Sequence, residues 1–215
     1  NLNPDDEVLL SSYTCIAVPT AILAAKAVPI YVDINPQDLS HCIQSLERQI
    51  SPKTKAIIIQ HSFGNDSFSD QLKIFCRRHQ LIVIEDCALS IGTRTNGSVI
   101  GSYGHASIYS LELSKTLSTG WGGILRVNDD HFLSRLTASY SLLSTYPLIS
   151  GFRDFFQTIF STFQFNVFGN PTYLAYLSAI LYKLKVFRLS TFPGELSGIF
   201  PSDFVASMSR IQISL

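Results

Sequence analysis

The sequence predicts an α/β fold that is built on a mainly parallel sheet. Over roughly the first two thirds of the 215 residues, apolar runs of strand length alternate with helical patterns, as is typical of βαβ units. The run Leu81–Glu85 is almost entirely apolar, as expected for a strand that is buried on both faces. With 46% apolar and 12% aromatic residues, the composition is sufficient for a packed core.

The first elements follow from local patterns. A strand is predicted at Glu7–Leu10, and a helix at Val18–Ala27, where apolar residues recur at helical spacing. The run Pro29–Asp33 ends in an acidic turn and is predicted to be the second strand. A helix over Leu39–Ile50 and a strand over Lys55–Gln60 complete this part of the alternation.

The middle of the sequence continues the alternation and then changes. An amphipathic helix is predicted at Ser67–His79, before the buried strand that ends at Glu85. The Asn96–Gly97 pair lies between two short β-prone runs and indicates a hairpin. Two further strands, Ala106–Leu111 and Gly123–Asn128, flank a polar loop.

From Asp129 onward, helical spacing, many aromatic residues and Pro or Gly punctuation predict three or four helices. We therefore divide the chain into a sheet domain, residues 1–129, and a helical segment, residues 130–215. An aromatic stripe in this segment favours a core or a subunit interface over a ligand site. Its members are Phe152, Phe155, Phe156, Phe160, Phe163 and Phe165.

The stretch Tyr173–Phe187 is apolar but contains Lys183 and Lys185, and it falls short of the ~18 uninterrupted apolar residues of a membrane span. It is predicted to pack as an amphipathic helix on its own protein, with contact to a membrane surface as the alternative. No transmembrane segment is predicted. The polar and acidic start of the chain, Asn1–Glu7, does not resemble a signal peptide.

Charge and cysteine content exclude several classes of function. Sixteen basic and sixteen acidic residues give a net charge of zero, so the chain as a whole has no field that attracts nucleic acid. The four cysteines form no CxxC pair, which favours reduced, packed thiols in a cytoplasmic protein over disulfides or a zinc site. They are Cys15, Cys42, Cys76 and Cys87.

Asp86 and Lys115 are the most informative pair of residues. Asp86 follows the buried strand, and Lys115 lies in the loop after the next long strand, so both belong to the edge at which parallel strands of α/β sheets bind ligands. His61 and Ser110 also fall at strand ends of this kind. A lysine amine can hold pyridoxal phosphate covalently, and a carboxylate can keep its pyridine nitrogen protonated. The pair therefore suggests a pyridoxal phosphate enzyme.

Several segments, in order, resemble the DegT/DnrJ/EryC1/StrS family of nucleotide-sugar aminotransferases, which have the fold type I architecture of pyridoxal phosphate enzymes. The resemblance extends over essentially the whole chain and is carried by many short segments. They are Asp6–Val8, Ser12–Cys15, Pro19–Ile22, Pro29–Ile34, Ser51–Ile57, His61–Gly64, Ile84–Ala88, Gly101–Gly104, Ser110–Lys115, Gly122–Asp129 and, more weakly, Met208–Gln212.

The resemblance implies a fold type I large domain, with a mainly parallel sheet of the seven-stranded type flanked by helices and followed by a helical C-terminal segment. It implies that Lys115 forms the Schiff base with the cofactor and that Asp86 pairs with the pyridinium nitrogen. Ser110 corresponds to the serine that binds the cofactor phosphate. The expected activity is transfer of an amino group from an amino acid, glutamate, to a nucleotide-linked keto sugar, by a homodimer in polysaccharide or related biosynthesis.

The sequence departs from the family pattern at cofactor-binding positions. The family usually has a histidine or glutamine where this chain has Leu89, and many members have an aromatic residue that stacks on the cofactor where this chain has Cys15. The phosphate-binding segment of the family lies upstream of the strand at Glu7, and its small domain follows the position of Leu215. The sequence is therefore expected to be a fragment of the family pattern.

Two other interpretations stay open at the level of sequence. A pseudoenzyme or interaction module would keep the fold without a functional cofactor, and Leu89 is its best support. A pyridoxal-phosphate-dependent sugar dehydratase or lyase would use the same cofactor without net transfer of nitrogen. Members of the second type typically have histidine in place of the lysine, so Lys115 favours an aminotransferase.

Overall fold

A computed structural model describes residues 2–164, 172–189 and 206–207. Within these residues, six strands form one sheet in the order β2-β1-β3-β4-β7-β8, with β8 antiparallel to β7 and the other neighbours parallel. The strands are β1 (Glu7–Ser11), β2 (Val28–Val32), β3 (Thr54–Gln60), β4 (Ile82–Asp86), β7 (Ala106–Ser110) and β8 (Gly123–Val127). The mainly parallel α/β architecture is confirmed, and the described residues contribute six strands to a sheet expected to be of the seven-stranded type.

The short strands and the helices complete the described fold. The predicted Asn96–Gly97 hairpin is present as the antiparallel pair β5 (Arg94–Thr95) and β6 (Ser98–Val99). Another small pair, β9 (Ser144–Thr145) and β10 (Ala206–Ser207), is parallel. The helices are α1 (Ala17–Ala24), α2 (Ile43–Gln49), α3 (Asp70–Arg78), α4 (Asp130–Ser141), α5 (Leu148–Thr162) and α6 (Thr172–Lys183). Phe165 and the segment Met208–Gln212 lie outside the described residues.

The prediction of a helix from Leu39 is wrong at its beginning. The backbone of Leu39 has φ +60, and Ile34 forms an isolated bridge with His41, so α2 begins only at Ile43. The side chain of Asp38 accepts a hydrogen bond from the Ser40 amide at 2.9 Å. Short acidic side chains of this kind compete with helix formation by bonding to the nearby backbone, which explains the later start.

Apolar clusters on the two faces of the sheet hold these layers together. On one face, the strand residues Leu9, Ile57 and Val83 pack with residues of α2 and α3, such as Leu46 and Phe75. On the other face, Val8, Leu10 and Ala56 pack with Ile22 of α1. Strands covered on both faces must be apolar throughout, which is the pattern that identified them in the sequence.

The buried imidazole of His41 makes stability depend on pH. Burial lowers the pKa of His41 to about 4, against a contribution from the backbone of Ile58 that raises it. Its Nε2 has no hydrogen-bond partner among the described residues. An imidazole that must stay neutral in the folded state binds fewer protons than the same group in the unfolded chain, which titrates near 6.5.

We therefore expect the free energy of unfolding to include the whole His41 contribution above pH 6.5 and to fall as the pH drops towards about 4. The His41 contribution to this loss is roughly 3 kcal/mol. It can be measured by chemical denaturation between pH 7.5 and 4.5, in which His41→Gln should flatten the decline. His131→Gln, at an exposed position, should leave the decline unchanged; an equal decline in all three proteins would contradict the assignment.

Candidate active site

A cavity of about 260 Å³ opens at the carboxyl ends of the parallel strands. Loops after β1, β3, β4 and β7 converge on it, as expected for the ligand-binding edge of an open α/β sheet. Asp86 and Lys115 both line this cavity, so the structure brings the two residues together. The other lining residues are Tyr13, Thr14, Cys15, Gln60, His61, Ser62, Phe63, Ala88 and Leu89.

The carboxylate of Asp86 lies at the end of β4 and is 5% exposed. Its Oδ1 accepts a hydrogen bond from the Ala88 amide at 3.0 Å. Burial raises the pKa of Asp86, against opposing contributions from the Ala88 hydrogen bond and from the positive charge of Lys115. A cationic partner would stabilise this carboxylate, because it favours the charged form that burial disfavours.

A second buried carboxylate, that of Glu85, fixes the backbone around Asp86. Its Oε2 accepts hydrogen bonds from His61 Nε2 at 2.8 Å and from the Gly101 amide at 3.1 Å. Its Oε1 accepts the amides of Tyr103 and Gly104 at 2.8 and 2.6 Å. Burial raises the pKa of Glu85, but the bonds from His61, Gly104 and Tyr103 outweigh it, so that the pKa lies below its usual value.

His61 links this carboxylate to the end of β3. Its Nδ1 accepts the amide hydrogen of Ser67 at 3.2 Å, so its ring proton lies on Nε2 and is donated to Glu85. Its backbone amide donates to the carbonyl of Asp86 at 2.9 Å. The imidazole is fully buried, so His61 contributes to the cavity as a positioning group between β3 and β4.

Residues after β1 and β3 form one wall of the cavity. The Gln60 side chain accepts from Thr14 Oγ1 at 2.5 Å and donates to the Tyr13 carbonyl at 3.2 Å, which ties the two loops together. Phe63 is 70% exposed at the rim, and its backbone has φ +55. A left-handed phenylalanine is strained, and such strain is concentrated at functional sites. In the sequence, this wall was indicated by the segments Ser12–Cys15 and His61–Gly64, which resemble the family pattern.

The loop that carries Lys115 is held at both ends. The Lys115 amide donates to the carbonyl of Glu112 at 2.9 Å, and the Thr119 amide donates to that of Leu111 at 3.1 Å. Gly120 has φ +85, and a Cβ at this position would overlap the hydroxyl of Thr158 in α5. The close approach requires glycine, and it shows that α5 packs directly on the loop that follows Lys115.

The other predicted site residues divide into two groups. Cys15 and Leu89 line the cavity, and both side chains are exposed. They occupy the positions at which the family pattern has a stacking aromatic residue and a hydrogen-bonding residue. Ser110 lies at the end of β7 but outside the cavity lining, and its Oγ accepts a hydrogen bond from the Glu112 amide at 3.4 Å. The exposed position of Cys15 also corrects the expectation that all four thiols are packed.

Comparison with known proteins identifies the family. The model of the DegT/DnrJ/EryC1/StrS aminotransferase family matches residues 1–150. The chain belongs to this family. The match includes every residue that lines the cavity, and it ends near the beginning of α5.

Individual members of the DegT/DnrJ/EryC1/StrS family show how much of the pattern is shared. GDP-perosamine synthase of Vibrio cholerae is 33% identical over 130 residues, which are 60% of this chain and 35% of that protein. A UDP-N-acetyl-3-dehydro-α-D-glucosamine 3-aminotransferase of Acidithiobacillus ferrooxidans is 36% identical, over 62% of this chain and 36% of its own length. The chain thus spans about a third of the length of these curated relatives.

A solved structure supports the fold. The structure of NtdA from Bacillus subtilis with bound cofactor PMP is 31% identical and superposes with a TM-score of 0.59. The superposition covers 67% of this chain and 32% of NtdA. The α/β architecture described above is therefore shared with NtdA.

Substitution of Gly120 tests the packing of α5 on the lysine loop. Gly120→Ala should lower the free energy of unfolding by about 3 kcal/mol, of which about 1 kcal/mol is the cost of a left-handed alanine and the rest the overlap with Thr158. Gly97→Ala is the matched control, because Gly97 has φ +80 with nothing within 4 Å of the added Cβ. Urea denaturation measures both changes.

The double variant Gly120→Ala/Thr158→Ala should recover most of the difference between Gly120→Ala and Gly97→Ala, since it removes the hydroxyl that the new methyl group meets. Equal losses for Gly120→Ala and Gly97→Ala, with no recovery in the double variant, would contradict the contact.

Proposed function

We propose that this protein is a pyridoxal-phosphate-dependent aminotransferase, which transfers an amino group from glutamate to a nucleotide-linked keto sugar. The observation that supports it most directly is the shared cavity of Asp86 and Lys115, where burial raises the pKa of the Asp86 carboxyl and the positive charge of Lys115 opposes that rise. Membership of the aminotransferase family and the names of the relatives support the reaction and the class of substrate.

The residues of the cavity fit pyridoxal phosphate. A primary amine and a buried carboxylate are the two protein groups that its chemistry needs, and both are present on separate loops of one cavity. Burial raises the pKa of the Asp86 carboxyl, so a cationic ring nitrogen beside it would stabilise its charged form. The bound PMP of the related NtdA is a form of the same cofactor.

The cofactor, when bound, supplies an aldehyde that condenses with amines and a ring that accepts electrons from the substrate carbon. The Asp86 carboxylate would hold the ring nitrogen in its protonated form, because a close carboxylate favours the charged state. Lys115 Nζ would hold the cofactor through its amine. When not engaged in that link, the same amine would serve as the general base that takes the proton from the α-carbon of the donor.

Other residues shape the cavity without exchanging protons. Leu89 presents an apolar contact at the position where a hydrogen-bonding residue was expected, and Cys15 lies across the cavity on the loop after β1. We propose that Leu89 packs against the cofactor ring and that Tyr13 and Phe63 flank the entrance for the sugar. The roles of Ser110 as a phosphate ligand, the homodimer and the cytoplasmic location remain predictions from the family resemblance.

Chemical trapping tests the role of Lys115. The protein purified with pyridoxal phosphate should, after reduction with borohydride, carry the cofactor on Lys115, because this amine lies in the cavity with the carboxylate that stabilises the ring. Peptide mapping by mass spectrometry locates the label. Lys115→Arg should abolish it, whereas Lys73→Arg, at a lysine of α3 outside the cavity, should leave it unchanged.

The Asp86→Asn variant separates cofactor attachment from catalysis. It should still be labelled at Lys115, but its rate of amino transfer should fall at least a hundredfold, since removal of a close opposite charge shifts a pKa by ~1–3 units. Labelling of another lysine in the native protein would contradict the assignment of Lys115. An unchanged rate in Asp86→Asn would contradict that of Asp86.

A further inference from the structure

The α5 helix has its polar side inward and its apolar side outward. Its buried residues are Gly151, Asp154 and Gln157. Large apolar side chains on the other side are exposed to solvent: Leu148, Ile149, Phe152, Phe156 and Ile159. Their spacing of three and four residues makes a continuous stripe along the helix. A surface helix of a globular domain normally has the reverse arrangement, so this stripe is a candidate contact surface.

Specific hydrogen bonds fix the helix in this orientation. Asp154 accepts from Tyr146 Oη at 2.7 Å and from Arg153 Nε at 3.0 Å. Gln157 exchanges two bonds with the backbone of Arg188, at 3.0 and 2.9 Å. Rotation of α5 to bury its apolar stripe would break the bonds to Tyr146 and Arg188 and remove Asp154 and Gln157 from these buried partners, which is costly. The stripe therefore stays outward.

The α6 helix also exposes large apolar side chains to solvent. None of its residues is buried, and Tyr173, Tyr176 and Ile180 are between 53% and 70% exposed. It joins α5 through Phe187, whose ring lies 5.4 Å from that of Phe160 in α5 and 5.4 Å from that of Tyr182 in α6. We call the exposed apolar residues of the two helices the aromatic surface.

Within the segment 148–189, which forms the aromatic surface, the charged residues are almost all basic. Between residues 148 and 189 the sequence contains a single acidic residue, Asp154, which is buried and paired with Arg153. Lys183 and Lys185, at the end of α6, are exposed. A surface that combines exposed Phe, Tyr and aliphatic side chains with lysines, and has no exposed acid, complements an anionic lipid headgroup layer.

We propose that the aromatic surface binds the face of an anionic phospholipid bilayer, with α5 and α6 lying in the plane of the headgroups. No helix of the described residues is long and apolar enough to cross a membrane. Anionic lipids attract the exposed lysines beside this surface. The family match ends at residue 150, so this surface lies almost entirely beyond the segment shared with the relatives.

Co-sedimentation with vesicles tests the proposal on the protein as purified. We expect binding to phosphatidylcholine vesicles that contain about 30% phosphatidylserine, and at least tenfold weaker binding to phosphatidylcholine alone. Ile149→Gln/Phe152→Gln should reduce partition to the anionic vesicles at least tenfold, because these side chains are 86% and 64% exposed. Glutamine keeps a good helix propensity, and circular dichroism checks that the fold is retained.

Ile74→Gln is the matched control, since Ile74 is 56% exposed on α3 and lies away from the aromatic surface; it should bind as the native protein does. Lys183→Gln/Lys185→Gln should weaken binding and reduce its dependence on salt. Absence of vesicle binding would overturn the proposal. It would do so whether the protein is monomeric or forms a dimer that Ile149→Gln/Phe152→Gln dissociates. Equal binding by native protein and Ile149→Gln/Phe152→Gln would also overturn it.

Discussion

One buried carboxylate, that of Glu85, links the end of β3 and the end of β4, which line the cavity, to the connection from β4 to β7. It accepts hydrogen bonds from His61 at the end of β3 and from the amides of Gly101, Tyr103 and Gly104 in the connection from β4 to β7. A carboxylate buried in this way is stable only while its donors are kept. The position of the neighbouring Asp86, and hence the geometry of the cavity, depends on this network.

The lysine loop adds a second constraint, which comes from outside the family segment. Gly120 lets the loop pass directly under α5, and Asp154 and Gln157 keep that helix in one orientation. The same contacts turn the apolar side of α5 towards solvent. The packing that supports the loop of Lys115 and the exposure of the aromatic surface are thus two consequences of one helix orientation.

The sequence predicted the strands well because burial on both faces requires unbroken apolar runs, and Asp86 was identified because it ends one of them. It failed at Leu39, where hydrogen bonding by the Asp38 side chain delays the start of the helix. The aromatic stripe was expected to be core or subunit interface, and Phe152 and Phe156 are exposed and so are not core, because hydrogen bonds between distant residues decide which side of α5 faces inward. Periodicity defines the two sides of a helix but does not determine which is buried. For the same reason, the place of Ser110 outside the cavity lining could not be derived from its distance to Lys115 along the chain.

The central claim is that the cavity of Asp86 and Lys115 moves nitrogen from an amino acid to a sugar. The most direct measurement supplies ¹⁵N-labelled glutamate and a nucleotide-linked keto sugar to the protein with pyridoxal phosphate, and follows the sugar nucleotide by mass spectrometry. The account predicts an amino sugar nucleotide that carries ¹⁵N, and none with Lys115→Ala. A sugar nucleotide that is dehydrated or unchanged, with no ¹⁵N, would contradict it.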